Sequence, residues 1–244
     1  MLAQDLLPPI ALLFDMDGVL IDSERLHERS KREALLQSGI HVADERFANY
    51  IGRSDTVMIQ DLAQEHGLTE QNGTDILRLK HRIYESLEHE LQPVPGALAF
   101  LDWANSRYRL ALATSSNHRN RVATLDKLGI APLFEVAVDA ARFTHPKPSP
   151  EVFQIAVADL GLEPGSCWVI EDAVNGILAA KAAGCTAVGI TTSFTRQQLE
   201  AAGADLVIDT FPEFQQALER LQAPPAANVW SLPCLTMPEA QPAG

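Results

Sequence analysis

The 244-residue sequence carries 32 Asp and Glu against 19 Lys and Arg, a formal charge of −13, which excludes nucleic-acid binding through a basic surface. At 46% apolar residues it has enough material to bury one large core or two smaller ones, and it contains no apolar run of membrane-spanning length. The first residues, MLAQDLLPPIALLF, lack the basic start and unbroken apolar stretch of a signal peptide; Cys167, Cys185 and Cys234 show no metal-type spacing and predict free thiols in a reducing cytoplasm.

The first predicted element is a strand over residues 10–15, whose apolar run ends in Asp15-Met16-Asp17-Gly18. Alternation along an extended chain puts Asp15 and Asp17 on one face, just past the strand. Two carboxylates that close raise each other's proton affinity unless a cation relieves them, so the pair predicts a metal, a shared proton, or both. No strand pattern follows until residue 92. Asp22 or Ser23 caps a helix running toward Gly39, Ser54 starts a second closed by Gly67, and a third carries Ile76, Leu79, Ile83 and Leu87 at helical spacing. Residues 20–92 therefore read as a small helical domain, with QPVPG (92–96) as the linker back.

Strands and helices then alternate. RLALATSS (109–116) is a strand, and NHRNRVATLDKLG is a helix capped by Asn117 and stopped by Gly129. FEVAVD is a strand, and SPEVFQIAVADLG is a helix with Pro150 in its first position. CWVIED, AVNGILAAKAAG, CTAVGI, TRQQLEAAG, DLVID and FPEFQQALERL continue the alternation as strand, helix, strand, helix, strand and helix. This predicts an α/β fold: a doubly wound, Rossmann-like parallel sheet built from residues 1–19 and 93–222. The Pro/Ala-rich segment 223–244 predicts a poorly ordered tail, with Trp230 as its one residue suited to packing.

Ligands of open parallel sheets bind beyond the carboxyl ends of the strands. Polar residues gather there: Asp15 and Asp17, Thr114 and Ser115, Glu171 and Asp172, with Lys147 in the Pro-rich loop THPKPSP. These residue types suit phosphoryl transfer. Asp15 is expected to attack phosphorus and form an aspartyl phosphate. Asp17 is expected to protonate the leaving oxygen and later deprotonate the attacking one, a role worth about 10²- to 10⁴-fold. Ser115 or Thr114 would hydrogen-bond phosphate oxygens, Ser116 belongs to the same substrate-binding turn, and Lys147 would neutralise nucleophile and phosphate. Mg²⁺ takes few protein carboxylates and keeps waters. Asp15, Asp172 and a backbone carbonyl near Asp17 are expected to hold it, with Glu171 behind them.

Each motif also has an ordinary reading. A calcium loop would need Gly at its sixth position and Glu at its twelfth, where this stretch has Gly18 at the fourth and Leu26 at the twelfth. Glu171–Asp172 alone is a solvated pair or a helix cap, Thr114–Ser115 turn chemistry, and Lys147 a solvated lysine. Their common position at strand ends favours function.

FDMDGVLIDSE, ATSS, KPSPEVF and IEDAVNGILAAKAAG, in this order and spacing, resemble the four motifs of the haloacid dehalogenase-like superfamily, in the subgroup with a helical cap after the first strand. The resemblance covers residues 10–210. It implies Mg²⁺-dependent phosphoryl transfer through Asp15, with the cap closing over the site. Asp17 matches the phosphotransferase branch; the dehalogenating branch lacks the second aspartate. Within the cap, His27, Arg53 and Lys80 are candidate substrate-binding residues, each weighed against a plain surface or helix-face role. The expected protein is a cytoplasmic phosphatase for a small phosphorylated metabolite, a sugar phosphate, acting as a monomer or weak dimer without nucleic acid or membrane. The rival is a β-phosphoglucomutase-like phosphosugar mutase: His27 lies at the mutase spacing from Asp15, and Lys80 falls in a similar setting. Such mutases carry an arginine directly after the cap Gly-x-Ser, where this chain has Asp55, with Arg53 before the serine. A non-catalytic receiver-like module is the second alternative, opposed by the helical insertion and by Asp17.

Overall fold

The computed structural model describes residues 6–48 and 55–222; Arg53, Ser54, Trp230, Cys234 and the expected tail lie outside them. In chain order, β1 (Ala11–Phe14) and β2 (Ile21–Asp22) precede α1 (Glu24–Gln37), α2 (Asp44–Ala48), α3 (Asp55–Glu65) and α4 (Glu70–Leu87). Next come β3 (Gln92–Pro93), α5 (Ala97–Asn105), β4 (Arg109–Ala113), α6 (His118–Leu128), β5 (Val136–Val138) and α7 (Glu151–Leu160). The chain continues through β6 (Cys167–Glu171), α8 (Val174–Ala182), β7 (Thr186–Ile190), α9 (Arg196–Ala201), β8 (Leu206–Ile208) and α10 (Phe211–Gln222).

β1 is apolar and buried at every position, as a central parallel strand covered on both faces must be. Its alternation divides the core. Leu12 and Phe14 join the cluster holding Phe100, Phe211 and Phe214 of α5 and α10, while Ala11 and Leu13 join Val152, Phe153 and Ile177 of α7 and α8. The six-stranded sheet runs β5-β4-β1-β6-β7-β8 with every pair parallel. The chain winds to one side of β1 through β4 and β5, then to the other through β6, β7 and β8. That reversal opens a crevice at the carboxyl ends of β1, β4 and β6, where such sheets bind ligands.

The helices α1–α4 lie between β2 and β3, which pair antiparallel as a two-stranded ribbon (Ile21 with Pro93, Asp22 with Gln92) where the chain leaves and rejoins the sheet. Two residues per strand are too few to leave a periodic signature. Of the expected α4 stripe, Ile76, Ile83 and Leu87 are buried and Leu79 half-buried, with Tyr84 and Lys80 buried beside them.

Some local expectations change. α5, with Phe100 and Leu101 in the core, and the five-residue α2 have no counterpart among the elements expected from the sequence. Pro150 stands one position before the first helical residue of α7, whereas Asn117 caps α6 as expected by accepting the Asn120 N–H at 2.9 Å. Ser23 precedes α1 but its side chain makes no cap bond, being hydrogen-bonded to Tyr84 instead. Among the described residues, no helix is long and apolar enough to cross a membrane.

Candidate active site

The crevice is built from strand ends. The Asp15 amide still donates to the Ile170 carbonyl of β6 at 3.0 Å, continuing the ladder one residue past β1. The chain then folds back: the Gly18 N–H donates to the Ile21 carbonyl at 2.8 Å and the Ile21 N–H to the Met16 carbonyl at 3.0 Å. Lys147 arrives from the loop after β5, which the Glu151 carboxylate holds by accepting the Thr144 and His145 amides, each at 2.9 Å.

The Lys147 ammonium donates to Asp15 Oδ1 and Glu171 Oε1, both at 2.6 Å, and to the Ala113 carbonyl at 3.3 Å. All three of its protons are thereby used. Asp15, Glu171 and Asp172 are buried and each brings a carboxylate oxygen within 4.8 Å of the others. Burial above all, then Glu171 and Asp17, push the Asp15 carboxyl up to about 7 against the opposing pull of Lys147. Burial, Glu171 and Asp15 likewise hold Asp172 well above the usual carboxylate range, although Ser193 bonds to it. Burial would lower Lys147, but Asp15 and Glu171 outweigh it and hold the ammonium above its ordinary value.

This donor set fits a hard divalent cation. Three carboxylates face one lysine, and that lysine is engaged by Asp15 and Glu171, so Asp172 has no ammonium of its own. Mg²⁺ is bound through one or two protein carboxylates with retained waters. Asp15 and Asp172 would supply them, while Glu171 remains tied to Lys147.

Two glycines exist because of this cluster. Gly18 has φ +75°, and a Cβ there would lie 1.9 Å from Asp172 Oδ2. A Cβ on Gly176 would lie 1.9 Å from Glu171 Cδ. Sequence reasoning also missed two residues after β7: Thr192 Oγ1 donates to the Gly18 carbonyl at 2.5 Å, and Ser193 bonds to Asp172. The available signal was Thr191-Thr192-Ser193 at another strand end of the same rim.

Two of the turn residues 114–116 are engaged within the protein. Ser116 Oγ donates to Asp17 Oδ2 at 2.7 Å, and Thr114 is buried with its hydroxyl oxygen accepting the Ser116 N–H at 3.0 Å. Ser115 is exposed.

In the helical insertion, the Lys80 ammonium lies 2.7 Å from Asp55 Oδ2 and donates to His27 Nδ1 at 3.0 Å, with only 2% of the lysine side chain exposed. Lys31 meets the other Asp55 oxygen at 3.3 Å. The His27 ring stacks on Tyr84 with centroids 4.2 Å apart. Burial and then Lys80 push His27 down to about 4, with Asp17 and Asp55 pulling the other way. The Asp17 charge raises both His27 and Tyr84. The structure therefore brings His27 and Lys80 together.

A family model described as haloacid dehalogenase-like hydrolase matches residues 11–184. Fructose-1-phosphate phosphatase YqaB of Escherichia coli is 32% identical over 180 residues, covering 73% of this chain and 95% of its own length. Beta-phosphoglucomutase of Bacillus subtilis is 31% identical over 206 residues, covering 81% and 88%. Protein SUPPRESSOR OF QUENCHING 1 of Arabidopsis thaliana is 31% identical over 207 residues, but the chain spans only 19% of that much longer protein. Among solved structures, CbbY of Rhodobacter sphaeroides in complex with xylulose-1,5-bisphosphate superposes with a TM-score of 0.69 at 27% identity, over 84% of this chain and 96% of that one.

Proposed function

The chain belongs to the haloacid dehalogenase-like hydrolase family, and on that premise we propose that it is a Mg²⁺-dependent phosphatase that hydrolyses a sugar monophosphate through an aspartyl phosphate on Asp15. The observation that carries this reading is the buried Asp15 carboxylate, held at one oxygen by Lys147 at 2.6 Å beside Asp172 and Glu171. Lys147 fixes Oδ1 and leaves Oδ2 to attack phosphorus. As the Asp15–phosphorus bond forms, the ester oxygen leaves and takes a proton from Asp17, which Ser116 orients. Asp17 then removes a proton from water, whose oxygen attacks phosphorus, and the bond to Asp15 breaks to release inorganic phosphate. Thr114 and Ser116 shape the turn that faces the phosphate, and the Lys147 charge offsets the phosphate dianion. Mg²⁺, held by Asp15 and Asp172, would neutralise phosphate charge. The insertion serves as a cap, with His27 and Lys80 facing the substrate side.

The mutase reading has support in the B. subtilis relative and in His27 and Lys80. Asp55 favours the phosphatase. A mutase must grip a second phosphate in its cap, yet here the buried Lys80 charge is already balanced by Asp55, which would repel a second dianion. The test offers a panel of hexose and pentose monophosphates, and separately β-glucose 1-phosphate with a trace of the 1,6-bisphosphate. Release of free phosphate supports the phosphatase. Rapid conversion to glucose 6-phosphate with negligible free phosphate replaces it with the mutase.

A further inference from the structure

One ammonium outside the site makes an arrangement that the catalytic reading does not use. Lys127, in the last turn of α6, donates to three backbone carbonyls across the seam with the insertion: Glu88 at 3.1 Å, His89 at 2.8 Å and Leu91 at 2.9 Å. These carbonyls follow the C-terminus of α4, in the single turn between it and β3. The ends of helices leave carbonyls without intrahelical partners and carry partial negative charge, which a cation satisfies. A second contact crosses the same seam, where Arg119 of α6 lies 3.9 Å from Glu85 of α4. Within the insertion the same turn is also held by Arg29, which donates to both Glu90 carboxylate oxygens at 2.9 and 3.0 Å, so the Lys127 bonds are the ones that tie it to the core.

We propose that Lys127 is a positioning residue: it clasps the turn where the insertion rejoins the core, and so sets how readily the insertion closes over Asp15. The chain crosses between insertion and core through β2 and β3. Residues 88–91 lie on the insertion side of that crossing, and Lys127 lies on the core side. Any swing of the insertion about the ribbon must stretch three bonds to one ammonium. The same helix, α6, is capped by Asn117, directly after the Ser116 that orients Asp17. Ten residues of helix, about 15 Å, thus join the substrate turn to the clasp as one rigid strut. Closure stabilised at one end is delivered in register with the catalytic turn at the other.

The test compares wild type with Lys127→Met, which keeps the apolar stem and removes the donors, and with Lys127→Arg, which restores charge and donors. Its kinetic arm rests on the phosphatase reading; amide hydrogen exchange does not. In Lys127→Met, kcat/KM toward the best monophosphate of the panel falls about tenfold, the size of one net charge-assisted hydrogen bond. The loss is carried by KM, since the closed complex once formed has unchanged chemistry. Amides of residues 88–94 exchange faster while those of β1 and β6 do not, and Lys127→Arg recovers most of both effects. If Lys127→Met does not fold, Lys127→Gln takes its place with the same expectations. Unchanged exchange at 88–94 overturns the clasp whatever the enzyme does. Faster exchange with unchanged kcat/KM, or a loss confined to kcat, overturns its link to closure. A wild type that releases no phosphate from any monophosphate defeats the phosphatase reading instead, and leaves the exchange result to judge the clasp.

Discussion

Replacing Gly176 by alanine should reverse its sign of effect according to what stands at position 171. Gly176 is buried in the first turn of α8, and a Cβ there would sit 1.9 Å from Glu171 Cδ and 2.1 and 2.2 Å from the two carboxylate oxygens. Glu171 is 1% exposed and tied to Lys147 at 2.6 Å, so it can yield only by abandoning that bond. Overpacking of this kind costs about 1–3 kcal/mol, and loss of a hydrogen bond to a charged group about 1.5–3 kcal/mol. Alanine in a helix returns about 0.5–1 kcal/mol relative to glycine. The net expectation for Gly176→Ala is destabilisation by about 2–5 kcal/mol, measured by urea unfolding of the metal-free protein. In a Glu171→Ala background the clash is gone and only the helix gain remains, so the same substitution should stabilise by about 0.5–1 kcal/mol. Equal destabilisation in both backgrounds would refute the claim that Gly176 exists to admit the Glu171 carboxylate.

Asp15→Asn should abolish phosphate release, because an amide neither attacks phosphorus nor offers an anionic oxygen; Asp17→Asn should retain Mg²⁺ binding by calorimetry while turnover falls about 10²- to 10⁴-fold. Activity should vanish on chelation, return with Mg²⁺ and be inhibited by Ca²⁺, whose preference for more ligands at longer distances draws both Asp15 oxygens into coordination; full activity after chelation would contradict the metal assignment. The His27 pKa of about 4 lies below its unfolded value of 6.5, so the unfolded chain binds the extra proton between these pH values. Stability therefore falls as pH drops from 6.5 to 4, by up to about 3 kcal/mol from this group, and the dependence should shrink in His27→Gln. Nuclear magnetic resonance should find the ring neutral at pH 6, with its proton on Nε2 because Nδ1 accepts from Lys80.

How much of this was legible in the sequence depends on the range of the interaction. β1 could be read because four apolar residues in a row ending in Asp15 leave few alternatives to a buried parallel strand with its functional end outward. The strand ends after β4 and β6 followed from the same rule, and the structure gathers Asp15, Lys147, Glu171 and Asp172 as that rule implies. The turn after β4 was harder, because one residue of rotation decides which hydroxyl faces the crevice. Ser116 meets Asp17, while Ser115 is exposed. α5 escaped notice because nine residues between Gly96 and Ser106 carry too little period to separate from a connection. Lys80 did leave a local sign, standing in the apolar stripe of α4. Its pairing with Asp55 did not, since a contact across two helices has no spacing to betray it. The Lys127 clasp was invisible for the same reason: backbone carbonyls carry no sequence identity.

The central claim is that phosphate passes through Asp15. Wild-type enzyme mixed in excess with a ³²P-labelled sugar monophosphate, quenched in acid within a turnover and reduced with borohydride, should yield a peptide in which position 15 alone is converted from aspartate to homoserine, with no conversion in Asp15→Asn. Turnover at full rate with position 15 unmodified, or label recovered on another side chain, would contradict the account.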